Sequence, residues 1–302
     1  MDVIHHLIEI QKVKFILTGS SARKLKRSSA NLLAGRAFTN SMFPLTAIEL
    51  DSAFSLDEYL RWGGLPKVYS LNTEERIEYL RSYCQTYLKE EILQEQIVRK
   101  AFHFQSFLEV SAQCNGQLIN FTKVARDVGV DTKTIQNYFQ ILDDTLVGYL
   151  IPAYAKSKRK SVGLQPKFYF FDLGVKRSLD FSIRQNLNPQ TTAYGHAFEH
   201  FIFCEVIRMN SYSRSDYSIH HYYTNAGGEI DLILSRGREV IAIEIKSTKT
   251  VQIEEVRKLK NISTGLKTTR IIYVSQDHNE NKIEGVDCLF WKDFLQQVFI
   301  LN

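Results

Sequence analysis

Apolar residues at helical spacing open the chain: Val3, Ile4, Leu7 and Ile8 share one face and predict an amphipathic helix. A continuous apolar run, Phe15-Ile16-Leu17, closes on Thr18-Gly19-Ser20-Ser21 and reads as a buried parallel strand with its C-terminal loop. A basic helix with Arg23, Lys24, Lys26 and Arg27 is expected next, then a turn around Pro44. From residue 51 the spacing is helical. Leu56 to Trp62 predicts a helix stopped by Gly63-Gly64 and Pro66. Thr73 is expected to cap a longer helix, with Glu74 and Glu75 in its first turn and Ile77, Leu80, Tyr83, Cys84, Tyr87 and Leu88 along its apolar face. Helices are also predicted from Phe104 to Cys114, from Thr122 to Asp127, and after Asp131 over Ile135, Tyr138, Phe139 and Leu142. Val147 to Tyr154 predicts a strand.

After residue 165 helix and strand alternate. Strands are predicted over Lys167–Phe171, 218–224, 229–235, 239–246 and Arg270–Val274. Helices are predicted over Tyr194–Met209, Val251–Leu259 and Trp291–Phe299. The pattern divides the chain at 1–50, 51–164 and 165–302, with α/β character overall and a helical middle.

Two segments within the last division bring chemistry: Gly228-Glu229-Ile230-Asp231-Leu232-Ile233-Leu234 and Ile241-Ala242-Ile243-Glu244-Ile245-Lys246-Ser247. Residues two apart in a strand share a face, so Glu229 pairs in direction with Asp231, and Glu244 with Lys246. A hairpin over Ser235-Arg236-Gly237-Arg238 would bring Asp231 near Glu244. Two carboxylates can hold Mg²⁺, which keeps several waters and meets phosphate oxygens. A lysine beside them can orient a nucleophile or stabilise developing charge.

In the middle division, Ile119 to Asp131 reads as a helix–turn–helix, with Asn120 and Asp131 as helix caps and Gly129 in the turn. Lys133 and Thr134 begin the second helix, where base and phosphate contacts would originate. The following strand and the basic stretch Lys156-Ser157-Lys158-Arg159-Lys160 would form a wing, adding Lys158 and Arg159 as nucleic-acid contacts.

Composition narrows the classes. Among 302 residues, apolar types make up 44% and charged types 24%, which is ordinary for a globular chain. Lys and Arg exceed Asp and Glu by 38 to 33, a mild basic bias compatible with nucleic acid. The four cysteines lie far apart with no CxxC pair, which excludes a sequence-local zinc knuckle and predicts reduced thiols in a cytoplasmic protein. No apolar run approaches the length of a membrane span, and the N-terminus lacks the pattern of a signal peptide.

The carboxylate–lysine set and its order of helix, three strands, helix and strand resemble the PD-(D/E)XK nuclease superfamily, the restriction-endonuclease-like fold, over roughly residues 165–302. The resemblance implies an α/β/α domain with Asp231 and Glu244 as Mg²⁺ ligands and Lys246 as a catalytic residue. It adds Glu199, in Gly195-His196-Ala197-Phe198-Glu199, as a further catalytic acid.

Phe15-Ile16-Leu17-Thr18-Gly19-Ser20-Ser21, with Leu32-Leu33-Ala34-Gly35-Arg36 and Pro44-Leu45, resembles the second half of an AAA-type P-loop ATPase domain. The whole chain looks like bacterial and archaeal ATPases in which that module precedes a winged helix and a C-terminal domain of unknown function. No G-x-x-x-x-G-K-[ST] occurs, so ATP binding through a P-loop is not expected. The implied reading of residues 1–50 is a truncated ATPase remnant that makes a homodimer contact, binds a separately encoded ATPase half, or folds back on the helical zone. Three functions are therefore in play: a Mg²⁺-dependent nucleic-acid-binding protein able to cleave phosphodiesters, a non-catalytic DNA-binding or regulatory protein, and a truncated or split ATPase.

Overall fold

The computed structural model describes residues 2–16, 18, 38–87, 101–155, 164–224 and 227–300. The amphipathic N-terminal helix is present as α1, Asp2–Gln11. Of the strand expected at Phe15-Ile16-Leu17, the described Phe15 and Ile16 are neither helix nor strand, and Ile16 is 97% exposed, while Leu17 and Gly19-Ser20-Ser21 lie outside the described residues. An apolar triplet forms a strand only beside a partner edge, and no such edge is provided there among the described residues. The basic helix at Arg23–Arg27 and the segment Leu32–Arg36 lie outside the described residues.

Residues 43–50 fold back on the rest of the chain. Thr46 and Glu49 form a capping box that starts the short helix α2, Ala47–Leu50. Leu45 N–H donates to the Gly64 carbonyl at 2.8 Å, and its own carbonyl accepts from Tyr59 Oη at 2.6 Å.

The helical part comprises α3 (Leu56–Trp62), α4 (Thr73–Ser82), α5 (Ala101–Gln113), α6 (Phe121–Val128) and α7 (Thr132–Asp144). Gly63, at φ +77°, ends α3, and a β-carbon there would collide with the Asp172 carboxylate. Asn72, not Thr73, caps α4: its Oδ1 accepts from Glu75 N–H at 3.1 Å, and Glu75 returns the bond to Asn72 N–H at 3.0 Å. The side chain one residue earlier reaches the third amide, which leaves Thr73 as the first helical residue. Asn120 and Asp131 cap α6 and α7 as expected, and Gly129 at φ +76° makes the turn between them.

These helices carry a small antiparallel sheet of β1 (Gln117–Leu118), β2 (Gly148–Ile151) and β3 (Lys167–Phe170), in the order β1-β3-β2. The sequence-based boundary at 165 places β3 with the C-terminal strands, but Lys167–Phe170 pairs with Gly148–Ile151 and with Gln117–Leu118 instead. All four β3 residues are buried, so its apolar pattern is compatible with either sheet. Helix α8, Leu173–Leu179, follows from an Asp172 cap and packs on α3, α4 and α5. It has no counterpart in the sequence reading.

The second unit begins with the long helix α9, Thr192–Tyr212. Strands β4 (Ser218–Tyr223), β5 (Glu229–Arg236), β6 (Glu239–Ile245), β7 (Arg270–Ser275), β8 (Asn281–Ile283) and β9 (Val286–Phe290) form one mixed sheet, order β4-β5-β6-β7-β9-β8. The first three strands pair antiparallel, and β6-β7-β9 pair in parallel. Helices α9 and α11 (Trp291–Phe299) pack on one face, and α10 (Ile253–Ser263) on the other. One apolar core runs without a break from Ala47 through the helical part to Phe299, while a second lies under α10.

The connection from β2 to β3 is not a free wing at its described ends. Pro152 carbonyl accepts from His221 N–H at 3.1 Å, Tyr154 N–H donates to His221 carbonyl at 2.7 Å, and His221 Nε2 meets the Gln165 carbonyl at 3.1 Å. Both ends are tied to the β4 edge, which satisfies backbone groups that an edge strand otherwise leaves open. Residues 156–160, with Lys158 and Arg159, lie outside the described residues.

Candidate functional site

The β5–β6 hairpin turns over Gly237-Arg238, with Arg236 opposite Glu239 and Gly237 at φ +60°. Its ladder runs to Leu232↔Ile243 and then stops. One step further stand Asp231 and Glu244. Asp231 replaces the missing ladder bond with its side chain: Oδ2 accepts from Ile245 N–H at 2.8 Å. On its other side β5 is bulged. His220 opposes Ile233 and Tyr222 opposes Ile230, so Asp231 and Leu232 together face His221 alone. The extra residue re-aims the strand where the carboxylate sits.

Lys246 follows the end of β6, held by its N–H to the Val274 carbonyl at 2.9 Å, and its Nζ lies 2.5 Å from Glu244 Oε1. Glu244 Oε2 is buried and has no hydrogen-bond partner. Glu199, on α9, accepts from Tyr169 Oη at 2.5 Å. The structure thus gathers Glu199, Asp231, Glu244 and Lys246 from three separate stretches of sequence.

It adds a residue that the sequence reading does not include. Lys167 of β3 is 4% exposed, and its Nζ contacts Glu229 Oε1, lies 3.5 Å from Glu199 Oε1 and 4.0 Å from Asp231 Oδ1. A lysine inside an otherwise apolar strand needs a buried counter-charge, and that is the signal by which it could be found. Which carboxylates supply the charge is decided by folding alone.

Burial dominates the electrostatics. It pushes the Asp231 carboxyl above the usual range, reinforced by the Glu199 charge, while Lys246 and Lys167 oppose the rise. Glu244 is raised in the same way, by burial and then by the Asp231 charge. Burial lowers both lysines, but the surrounding carboxylates outweigh it and hold each above its ordinary value. The set is four carboxylates against two ammonium groups, a site that favours a further positive charge.

The residues suit a hydrated cation. Among the described residues no three His, Cys, Asp or Glu side chains converge at metal-ligand spacing. Mg²⁺ commonly takes one or two carboxylates and completes its shell with water and phosphate oxygens. Asp231 and the unpartnered Glu244 Oε2 match that modest demand.

His200 fixes the helix that carries Glu199. Its Nε2 lies 2.6 Å from the Phe170 carbonyl, which requires the Nε2–H tautomer, and burial pushes its pKa down to about 3. The unfolded chain binds a proton near pH 6.5 that the folded chain refuses. The contribution of His200 is therefore full above pH 6.5 and is lost as pH falls toward 3, at about 1.4 kcal/mol per pH unit. Urea unfolding of His200→Gln between pH 6 and 4 is expected to show a pH slope smaller by about one proton than that of the unaltered chain. Equal slopes would mean that His200 is not a buried neutral ring.

The nucleic-acid candidates are less concentrated. Lys133 is exposed on the first turn of α7. Thr134 gives both its N–H and its hydroxyl to the Asp131 cap, at 2.9 and 2.6 Å, so its hydroxyl is already committed to starting the helix. No helix among the described residues is long and apolar enough to cross a membrane.

Comparison with known proteins divides the chain near the start of α9. Residues 53–190 match a family described as a domain of unknown function, DUF8612, and residues 194–294 match another, DUF4143. An uncharacterized protein of Haemophilus influenzae is 22% identical over 298 residues, covering 93% of this chain and 70% of that protein. The uncharacterized protein MJ1637 of Methanocaldococcus jannaschii is 25% identical over 347 residues, covering 97% and 67%. MJ1544 of the same organism is 20% identical over 295 residues, covering 89% and 64%. The chain therefore spans about two thirds of the length of these relatives. Lys167 falls within the first matched domain and the four carboxylates within the second, so the site is assembled across the junction of two domains of unknown function.

Proposed function

We propose that the chain binds nucleic acid through a winged-helix unit and hydrolyses phosphodiester bonds with a restriction-endonuclease-like unit. In this reading one divalent cation sits between Asp231 and Glu244. The observation that carries it is the splayed end of the β5–β6 hairpin, where Asp231 and Glu244 stand beyond the last ladder pair and Glu244 Oε2 has no partner. Bound there, Mg²⁺ would activate water and neutralise charge on the reacting phosphate. Lys246, ion-paired to Glu244, is placed to stabilise that charge, and Glu199 to hold Tyr169 and Lys167 in position. The helical order α5-β1-α6-α7-β2-β3 and its three-stranded antiparallel sheet support the winged-helix reading. Incubation of supercoiled plasmid with the chain and Mg²⁺, against an EDTA control, tests the proposal; no nicking across a range of divalent metals would overturn the catalytic part.

A second reading is favoured by the two lysines that already neutralise part of the cluster: a DNA-binding protein whose nuclease-like unit is a platform without cleavage. The truncated-ATPase reading stays a third alternative that rests on the sequence resemblance; of its strand the described residues are Phe15 and Ile16, which are neither helix nor strand. For nucleic-acid binding itself, Lys133→Ala is expected to weaken duplex affinity and to reduce the slope of log affinity against log salt by ~1. Fluorescence anisotropy at several salt concentrations reads both; binding insensitive to Lys133 and to salt would leave α7 as a packing helix.

A further inference from the structure

We propose that Lys167 is a tethered counter-ion that competes with divalent metal for the acidic cluster and so sets the cation affinity of the Asp231–Glu244 site. The proposal rests on the reading of that site as a cation site. Its observation is a juxtaposition across two units. The Lys167 ammonium, 4% exposed, lies among Glu229, Glu199 at 3.5 Å and Asp231 at 4.0 Å, although it is carried by the small sheet and they are carried by α9 and β5.

Two features separate Lys167 from Lys246. Strand β3 is the central strand of its sheet, hydrogen-bonded to β1 on one side and β2 on the other, so the Lys167 backbone is held from both edges. Lys246 lies beyond the end of β6 with its side chain 34% exposed, and can swing toward solvent when a ligand arrives. Lys167 has no comparable exit. Its single positive charge stands where a hydrated dication bound to Asp231 would feel it at short range and low dielectric. The buried carboxylates meanwhile receive a cation from within the chain, which lets the acidic cluster fold before any metal binds. Lys167 is thus a positioning residue that trades metal affinity for a folded metal-free state.

Calorimetric titration of the full chain with MnCl₂ tests this. Lys167→Met is expected to bind Mn²⁺ at least ~10-fold more tightly than the unaltered chain. Its melting temperature without metal is expected to fall, and to rise further on metal addition than that of the unaltered chain. The double variant Lys167→Met/Glu229→Gln keeps the formal charge of the cluster and guards against loss of folding in the single variant. It too is expected to bind Mn²⁺ more tightly than the unaltered chain, because the ammonium has gone while Asp231 and Glu244 remain. A purely structural lysine would lower stability and leave affinity unchanged or weaker. If the unaltered chain binds Mn²⁺ and neither variant binds more tightly, the counter-ion role is overturned while the cation site stands. If none of the three binds Mn²⁺, both are overturned.

Discussion

Asp231→Asn is expected to lower the proposed Mg²⁺-dependent plasmid nicking, if the chain cleaves, by at least ~10²-fold while leaving the fold in place. The amide is nearly the same size as the carboxylate and can still offer an oxygen to Ile245 N–H, which Asp231 Oδ2 accepts at 2.8 Å. What disappears is the negative charge at the end of the hairpin. In the proposed function Asp231 would help hold the cation and would not contact the duplex, so duplex affinity measured in EDTA is expected to stay unchanged. Glu244→Gln removes the other carboxylate and is expected to act in the same direction. Circular dichroism of both variants separates lost chemistry from lost structure. A nicking rate unchanged in Asp231→Asn would place the activity elsewhere or in a contaminant.

Arg208→Met is expected to cost about 3–5 kcal/mol of folding stability, the penalty for leaving a buried charge without its partner. Arg208 is 1% exposed and joins four parts of the chain. It donates to Glu205 Oε1 at 3.2 Å on its own helix, to the Leu45 carbonyl at 3.3 Å, to the Phe171 carbonyl at 2.9 Å, and to Tyr59 Oη on α3. Glu205, fully buried, also accepts from Ala47 N–H at 3.0 Å, and burial pushes its pKa up to about 6 despite the arginine. Without the guanidinium, Glu205 must take up a proton or stay charged in an apolar core. The double variant Arg208→Met/Glu205→Gln is expected to recover part of the loss, because a neutral amide still meets Ala47 and no unpaired charge remains. Urea denaturation at pH 7 reads all three proteins. A loss below about 1 kcal/mol in Arg208→Met would show that the network is not what binds residues 43–50 to the fold.

That network also explains why the sequence leaves three alternatives open for residues 1–50 and only the fold selects the fold-back of 43–50. As a sequence, Pro44-Leu45 is a turn within residues 1–50, and folding back on the helical zone is one of three alternatives open to that segment. In the fold, the Leu45 carbonyl is an acceptor for two buried donors, Tyr59 and Arg208, that lie 14 and 163 residues away. A backbone carbonyl has no side-chain signature, so its partners appear only once the chain has closed.

Local physics determined much of the rest. The glycine stop after Trp62, the Asn120 and Asp131 caps, the long apolar helix around Phe198–Met209 and the hairpin bearing Asp231 and Glu244 all follow from residue types within a few positions of one another. Alternation along β6 sets Glu244 and Lys246 on one face, and the hairpin turn brings Asp231 beside Glu244. Tertiary structure decided three matters that alternation leaves open. It assigned the fully buried β3 to the small sheet, because a strand buried on both faces carries no mark of which edge it pairs with. It inserted the bulge at Asp231 and Leu232, because an extra residue is defined only against the strand opposite, here His221. It brought Lys167 to Glu199, Glu229 and Asp231, because charges separated by 32 to 64 positions are neighbours only after both units have packed around their common core.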